Sequence, residues 1–139
     1  MTELGPAWEA IDAIVPAQTS AWAVLLSDGR TVGIEHEPEA GRVVISARLG
    51  RVPEQHRLSI YAAMLNYNAL GHEVGGAWMS LAGAALEAEL TAVLAEESLT
   101  LSGLRAVVAF LADSARAWVA MMHDPGDADL MAPRGSLRA

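Results

Sequence analysis

The sequence contains neither cysteine nor lysine. Without cysteine there is no disulfide framework and no thiol chemistry. Without lysine, all basic charge rests on arginine: nine arginines face seventeen acidic residues, for a net charge of −8. No basic stripe runs along the chain to neutralise phosphates, which argues against a nucleic-acid partner. Long apolar runs are absent too. The longest uncharged stretches, Ala13 to Ser27, Leu58 to Gly71 and Val74 to Leu86, each fall short of the ~18 apolar residues a membrane span needs and each carry Ser, Asn, Gln or Gly. The opening MTELGPAWEA is acidic and lacks the charged-then-apolar pattern of a signal peptide. These absences set a cytoplasmic bacterial protein with no membrane partner as the expectation.

What the chain has in surplus is apolar surface. Its 139 residues suffice for one domain with a real core. Apolar residues make up 53% and the mean hydropathy is +0.27. With lipid excluded, that surplus is expected to be buried against protein, while the like charge keeps the molecules apart in solution.

Periodicity orders the elements. Trp8, Ile11, Ile14 and Val15 fall on one helical stripe, so a first helix is expected from Pro6 to Val15, stopped by Pro16. Trp22 to Ser27 reads as a strand, Asp28-Gly29 as a two-residue hairpin turn, and Thr31 to Glu37 as the returning strand. After a turn over Glu37 to Gly41, Arg42 to Leu49 alternates, with Val43, Ile45, Ala47 and Leu49 to one side and Arg42, Val44, Ser46 and Arg48 to the other. Pro53 opens a second helix that runs to about Leu70, with Gly71 as its cap. Gly75-Gly76 breaks the chain before a strand over Ala77 to Leu81. Leu86 to Glu97 fits both a strand alternation and a helical stripe, and periodicity alone leaves it open. Thr100 or Ser102 caps a last helix reaching Met122, with Leu104, Val107, Val108, Leu111, Ala115, Trp118 and Met122 in its stripe. The expected fold class is α+β: one antiparallel sheet packed by helices over residues 1–123, then a disordered tail over 124–139.

Catalytic constellations are missing. His36, His56, His72 and His123 show no metal-ligand spacing. Glu35-His36-Glu37 is the densest titratable cluster, but on a strand His36 points away from both glutamates. No GxSxG and no phosphate-cradling glycine loop occurs. No enzyme, no cofactor and no metal site are expected.

The informative stretch is LSIYAAMLNYNALG, Leu58 to Gly71, which carries no charge. On a helix, Leu58, Tyr61 and Leu65 cluster on one side; Ile60, Met64 and Tyr67 cluster well round from them. Asn68 sits among apolar residues and needs a hydrogen-bond partner there. Two apolar faces on one helix call for two burial partners: the chain's own sheet and a second copy. Trp8 and Trp22 come near each other in this order of elements and offer adaptable apolar surface for a partner segment.

Taken together, these stretches resemble the class I type III secretion chaperones, the Tir-chaperone (CesT-type) family. LLSDGRTVGIE resembles the family's first hairpin, and RVVISARLGRVP its third strand and the proline opening the central helix. MLNYNALGHEVGGAWMSL resembles its pattern of paired apolars, Asn68, a glycine break and a strand. LEAELTAVLAEESLTLSGLRAVVAFLADSARAW resembles the last strand and helix ending in Trp118. The first helix is shorter than the family's, and the tail beyond Asp124 has no counterpart. The resemblance implies the order α-β-β-β-α-β-β-α, and so a strand at Leu86 to Leu94. It implies a cytoplasmic homodimer, without ATPase activity, that holds the N-terminal segment of a secreted effector extended and secretion-competent. The secretion ATPase or the sorting platform would be further partners. Leu58, Tyr61, Leu65, Asn68 and Trp78 would then lie near the dimer axis. Trp8, Ile11, Trp22, Val24, Val32, Ile34 and Val44 would meet the effector, partly by strand addition to a sheet edge. Two rivals carry other marks. A dimeric adaptor of the same fold would bind a folded protein partner, and a small-ligand site at Glu35, His36 and Glu37 would turn those side chains inward.

Overall fold

A computed structural model describes residues 11–18 as backbone, and 20–71 and 76–124 in full. Six strands and two helices follow one another as β1 (Ile11–Gln18), β2 (Ala21–Leu26), β3 (Thr31–Glu37), β4 (Arg42–Arg51), α1 (Arg57–Leu70), β5 (Trp78–Ala82), β6 (Glu87–Ala95) and α2 (Leu101–His123). The class is α+β. Strands β2-β3-β4-β6-β5 make a five-stranded sheet on which the two helices pack, and β1 extends it at the β2 edge.

That first strand corrects the helix expected over Pro6 to Val15. Ile11–Gln18 pairs antiparallel with β2, Ile14 opposite Val24 and Pro16 opposite Trp22. The spacing of Ile11, Ile14 and Val15 suits a helix. All three are β-branched and stiff at χ1, however, and Pro16 ends any helix one residue later. An edge strand accepts that proline, and the register shifts between Pro16 and Gln18 as edge irregularities do. Residues 6–10 of the expected helix, with Trp8, lie outside the described residues, as does the tail from 125 onward.

Two compact units are built along this order. The first comprises Met1–Ala47 with Ala92–Ala112. Here β2, β3 and β4 form a meander in register, Val24 opposite Val32 and Ile34 opposite Ile45. The alternation in the sequence becomes burial: Val24, Leu26, Val32, Ile34, Val43, Ile45 and Ala47 are all core. The β2–β3 turn is one residue longer than expected. Leu26 N–H donates to Arg30 O, and Ser27, Asp28 and Gly29 lie between them, with Gly29 at φ +87°. This is the three-residue loop that ends in a left-handed residue, a conformation glycine adopts without strain. Asp28 Oδ1 accepts the Arg30 N–H at 3.0 Å and fixes the turn.

Thr100 caps α2. Its Oγ1 accepts the Gly103 N–H at 3.0 Å, the N-cap to N3 bond. Thr100→Ala should therefore lower stability by about 1 kcal/mol, and thermal melting checks it. An unchanged melting temperature would show that Ser102, 3.4 Å from the same oxygen, takes over the cap.

The second unit comprises Arg48–Thr91 with Asp113–Ala139. Pro53 leads into a short 3₁₀ turn, Glu54–His56, and α1 follows. Strand β5 pairs antiparallel with β6, Met79 opposite Leu90 and Ala82 opposite Glu87. So Glu87–Ala95 is a strand, although its Ala, Glu and Leu favour a helix locally. Ala88, Leu90 and Thr91 are buried, which means β6 loses water on both of its faces, and pairing decides over propensity. Trp118 is 1% exposed and meets Tyr67 edge to face, the centroids 5.5 Å apart at 82°.

Candidate protein-binding surfaces

Helix α1 divides as its sequence requires. Ile60, Ala63 and Met64 are buried. On the opposite side Leu58 is 85% exposed and Leu65 70%, with Tyr61 half-buried between them. Strand β5, at the sheet edge, continues this patch through the exposed Leu81, while Trp78, also exposed, has the opposite parity and projects from the other face of the strand. Tyr61, Met64, Leu65, Asn68, Met79 and Leu81 line an apolar groove of about 300 Å³ in the second unit. Single exposed leucines are ordinary; a contiguous patch of this kind on a small acidic chain marks a contact surface.

Asn68 works differently from its neighbours. Its Nδ2 donates to Met79 O at 2.8 Å, and its Oδ1 accepts the Met79 N–H at 2.6 Å. This supplies the hydrogen-bond partner that Asn68 requires among apolar residues. An edge strand leaves backbone groups without a strand to pair with, and one side-chain amide here takes both groups of Met79. Asn68 thus fastens α1 to β5 and holds both halves of the patch in place. Burial pushes the Tyr67 hydroxyl, one residue earlier, above its ordinary pKa.

In the first unit the faces of the meander sort the residues expected to meet a partner. Val24, Val32 and Ile34 are 0–1% exposed. They were expected at a binding surface; the structure gives them to the core, because they share the parity that buries Val43 and Ile45. Val44 points the other way and is half-buried, opposite Glu35 on β3. Trp22 is half-buried at the start of β2. Ile11 opens the edge strand β1, and Trp8 lies outside the described residues. The Glu35–His36–Glu37 run does not converge. His36 Nε2 lies 3.0 Å from Glu96 Oε1, while Glu37 pairs with Arg42 at 2.6 Å. Among the described residues no three His, Asp or Glu side chains gather as metal ligands, and no helix is long and apolar enough to cross a membrane.

Residues 11–119 match the Tir chaperone protein (CesT) family. The chain belongs to this family. The match covers both units and every strand. Solved structures agree at the level of the fold. A chain of the heterodimeric ExoU–SpcU complex from the type III secretion system of Pseudomonas aeruginosa aligns with a TM-score of 0.66 and 16% identity, covering 87% of this chain and 96% of that one. A chain of the ExsC–ExsE complex aligns at 0.63 and 19% identity, covering 73% and 75%. A chain of the complex between the Yersinia pestis type III secretion chaperone SycH and a stable fragment of YscM2 aligns at 0.61 and 19% identity, covering 84% and 98%. No curated protein matches the sequence.

The sequence pointed to the two faces of α1 but not to the role of Asn68, whose partner lies eleven residues away across a glycine break. It also missed Leu81, an exposed leucine on an edge strand whose alternation is too short to reveal its face.

Proposed function

We propose that the chain is a type III secretion chaperone. It acts in the bacterial cytoplasm as a homodimer, without ATP, and binds the N-terminal segment of a secreted effector to keep it soluble and export-competent. The observation that carries this reading is the apolar α1–β5 patch, which a single chain leaves open to water. A second copy covering Leu58, Tyr61 and Leu65 removes that surface from water and can reach Trp78 round the strand edge, and a two-fold axis makes the patch meet itself. Membership of a chaperone family and structural likeness to chains of chaperone–effector complexes support the role.

Effector contact is assigned to the first unit. Trp22, Val44 and the edge strand β1 with Ile11 remain as its contact positions, the chain pairing by edge addition and apolar side chains seating beside it. Val24, Val32 and Ile34 serve by holding those strands flat.

The deciding experiment is capture from secretion-competent cells of the source organism, followed by truncation of whatever is retained. Retention of one secreted protein through an N-terminal segment that is unfolded on its own supports the reading. Retention of a folded regulator instead moves the function to an adaptor of the same fold. Val44→Asp, at a half-buried position outside the core, should lower the melting temperature by only a few degrees and weaken effector binding by about tenfold or more, since a charge enters an apolar contact. Titration calorimetry measures it, and an unchanged affinity removes Val44 from the contact.

A further inference from the structure

We infer that Asn68 closes the β5 edge of the sheet to strand addition, so that an extended polypeptide, whether a partner segment or a strand of a second copy, joins this sheet at β1 and not at β5. The sheet order runs from β1 to β5, and each of these edge strands hydrogen-bonds a neighbouring strand on one side only. The closure concerns backbone groups, so it stands apart from the proposed dimer, whose contact is made by side chains. Only the identity of the strand that joins β1, an effector segment, rests on the proposed function.

Direction along β5 carries the inference. Backbone groups of an antiparallel strand turn to alternate sides with each residue. The Met79 N–H and carbonyl go to the Asn68 amide, at 2.6 and 2.8 Å, and so point away from β6. Leu81, two residues on, shares that direction, while Trp78, Ser80 and Ala82 turn theirs to β6. Within Trp78–Ala82 the open side thus presents two residues, Met79 and Leu81, about 7 Å apart. A strand joining through Leu81 alone gains one pair of bonds, too little to order it. Asn68 holds the other residue. An amide suits this task because it carries a donor and an acceptor at once, as a neighbouring peptide group does. Displacing it gains two bonds for the two broken, and leaves the amide unpaired among Tyr61, Met64 and Leu65. Beyond Ala82 the chain turns, the Leu86 N–H donating to Gly83 O at 3.2 Å, and the edge ends there. Strand β1 is longer, eight residues against five. With β5 closed, copies cannot add β1 to β5 head to tail, the contact that would grow into an open filament.

The test uses the full chain as a mixture of isotope-labelled and unlabelled copies. Isotope-filtered NMR detects backbone contact between copies, and thioflavin T follows assembly. Wild type should show no Hα–Hα contact between copies at Met79 or Leu81, even at concentrations where sedimentation shows self-association. Asn68→Ala should show these contacts and assemble about tenfold faster, the factor that one or two net hydrogen bonds carry. Loss of stability alone would also speed assembly, so the double variant Asn68→Ala/Leu81→Pro separates the causes. Proline removes the outward N–H of position 81 without touching a bond to β6. The double variant should melt as low as Asn68→Ala yet assemble at the wild-type rate. Leu81→Pro alone should lower the melting temperature by only a few degrees, which checks the direction assigned to Leu81 even where Asn68→Ala does not fold. Strand contacts at β5 in the wild type would overturn the closure. So would unaccelerated assembly of Asn68→Ala, assembly of the double variant as fast as Asn68→Ala, or collapse of Leu81→Pro.

Discussion

Leu65→Asp should convert the proposed dimer to a folded monomer. In the single chain Leu65 is 70% exposed, so an aspartate there meets water and the fold survives. At a two-fold interface the same change places two carboxylates near each other in an apolar contact, each without a partner. Losing two leucines from the contact and burying two charges costs more than about 3 kcal/mol, over a hundredfold in the dimer dissociation constant. Sedimentation velocity across a concentration series measures it, with circular dichroism to show that the helices and strands remain. Wild-type self-association in this variant would mean that the α1–β5 patch is not the dimer contact. Loss of the circular dichroism signal would mean that Leu65 supports the single chain, contrary to its exposure.

Asn68→Ala should destabilise the second unit strongly. It strips the partners from Met79 N–H and Met79 O at once, and an unsatisfied buried backbone group costs about 1–3 kcal/mol. Met79 itself is 3% exposed, and the bonds are only part-buried, so water satisfies some of what is lost; about 2–4 kcal/mol is the expected sum. Against a typical total of about 5–15 kcal/mol this is a large fraction. Denaturant melts should show the drop in midpoint, and amide exchange should quicken at β5 ahead of β2–β4. Asn68→Asp separates the two bonds. Ionised, it accepts from Met79 N–H but repels Met79 O; protonated, it can donate to that oxygen again. Its folded-state pKa is therefore raised, and its stability deficit should be largest above that pKa and shrink as the pH falls through it. A deficit that does not change with pH would show that Met79 O is satisfied without Asn68.

The two predictions concern residues that look alike in sequence: uncharged members of one helix, three positions apart. Their difference lies in what faces them. Leu65 stands 70% exposed at the lip of the groove, whereas Asn68 meets the backbone of an edge strand. A helical wheel reports direction from the axis and says nothing of what stands opposite. The same limit explains Val24, Val32 and Ile34. Their alternation marked one face of a meander, but alternation does not say whether that face looks to the core or to a partner. Burial places these three in the core, and Val44, of opposite parity, lies half-buried on the other face.

Local physics, acting on neighbouring residues, enforced part of this fold. Alternation in Arg42 to Leu49 set which side chains of β4 are buried; Asp28 and Gly29 made the first turn; Thr100 capped α2; and the helical period of LSIYAAMLNYNALG set Ile60, Ala63 and Met64 inward. The order and spacing of these elements carried the resemblance that residues 11–119 bear out. The rest depends on long-range pairing. Ile11–Gln18 is a strand because β2 offers it an edge, and Glu87–Ala95 is a strand because β5 pairs with it. Both have residues that fit a helix equally well, and the choice rests on hydrogen bonds to a partner strand. Asn68 meets Met79 only because the chain turns back across a glycine break, and no spacing along the chain encodes that meeting.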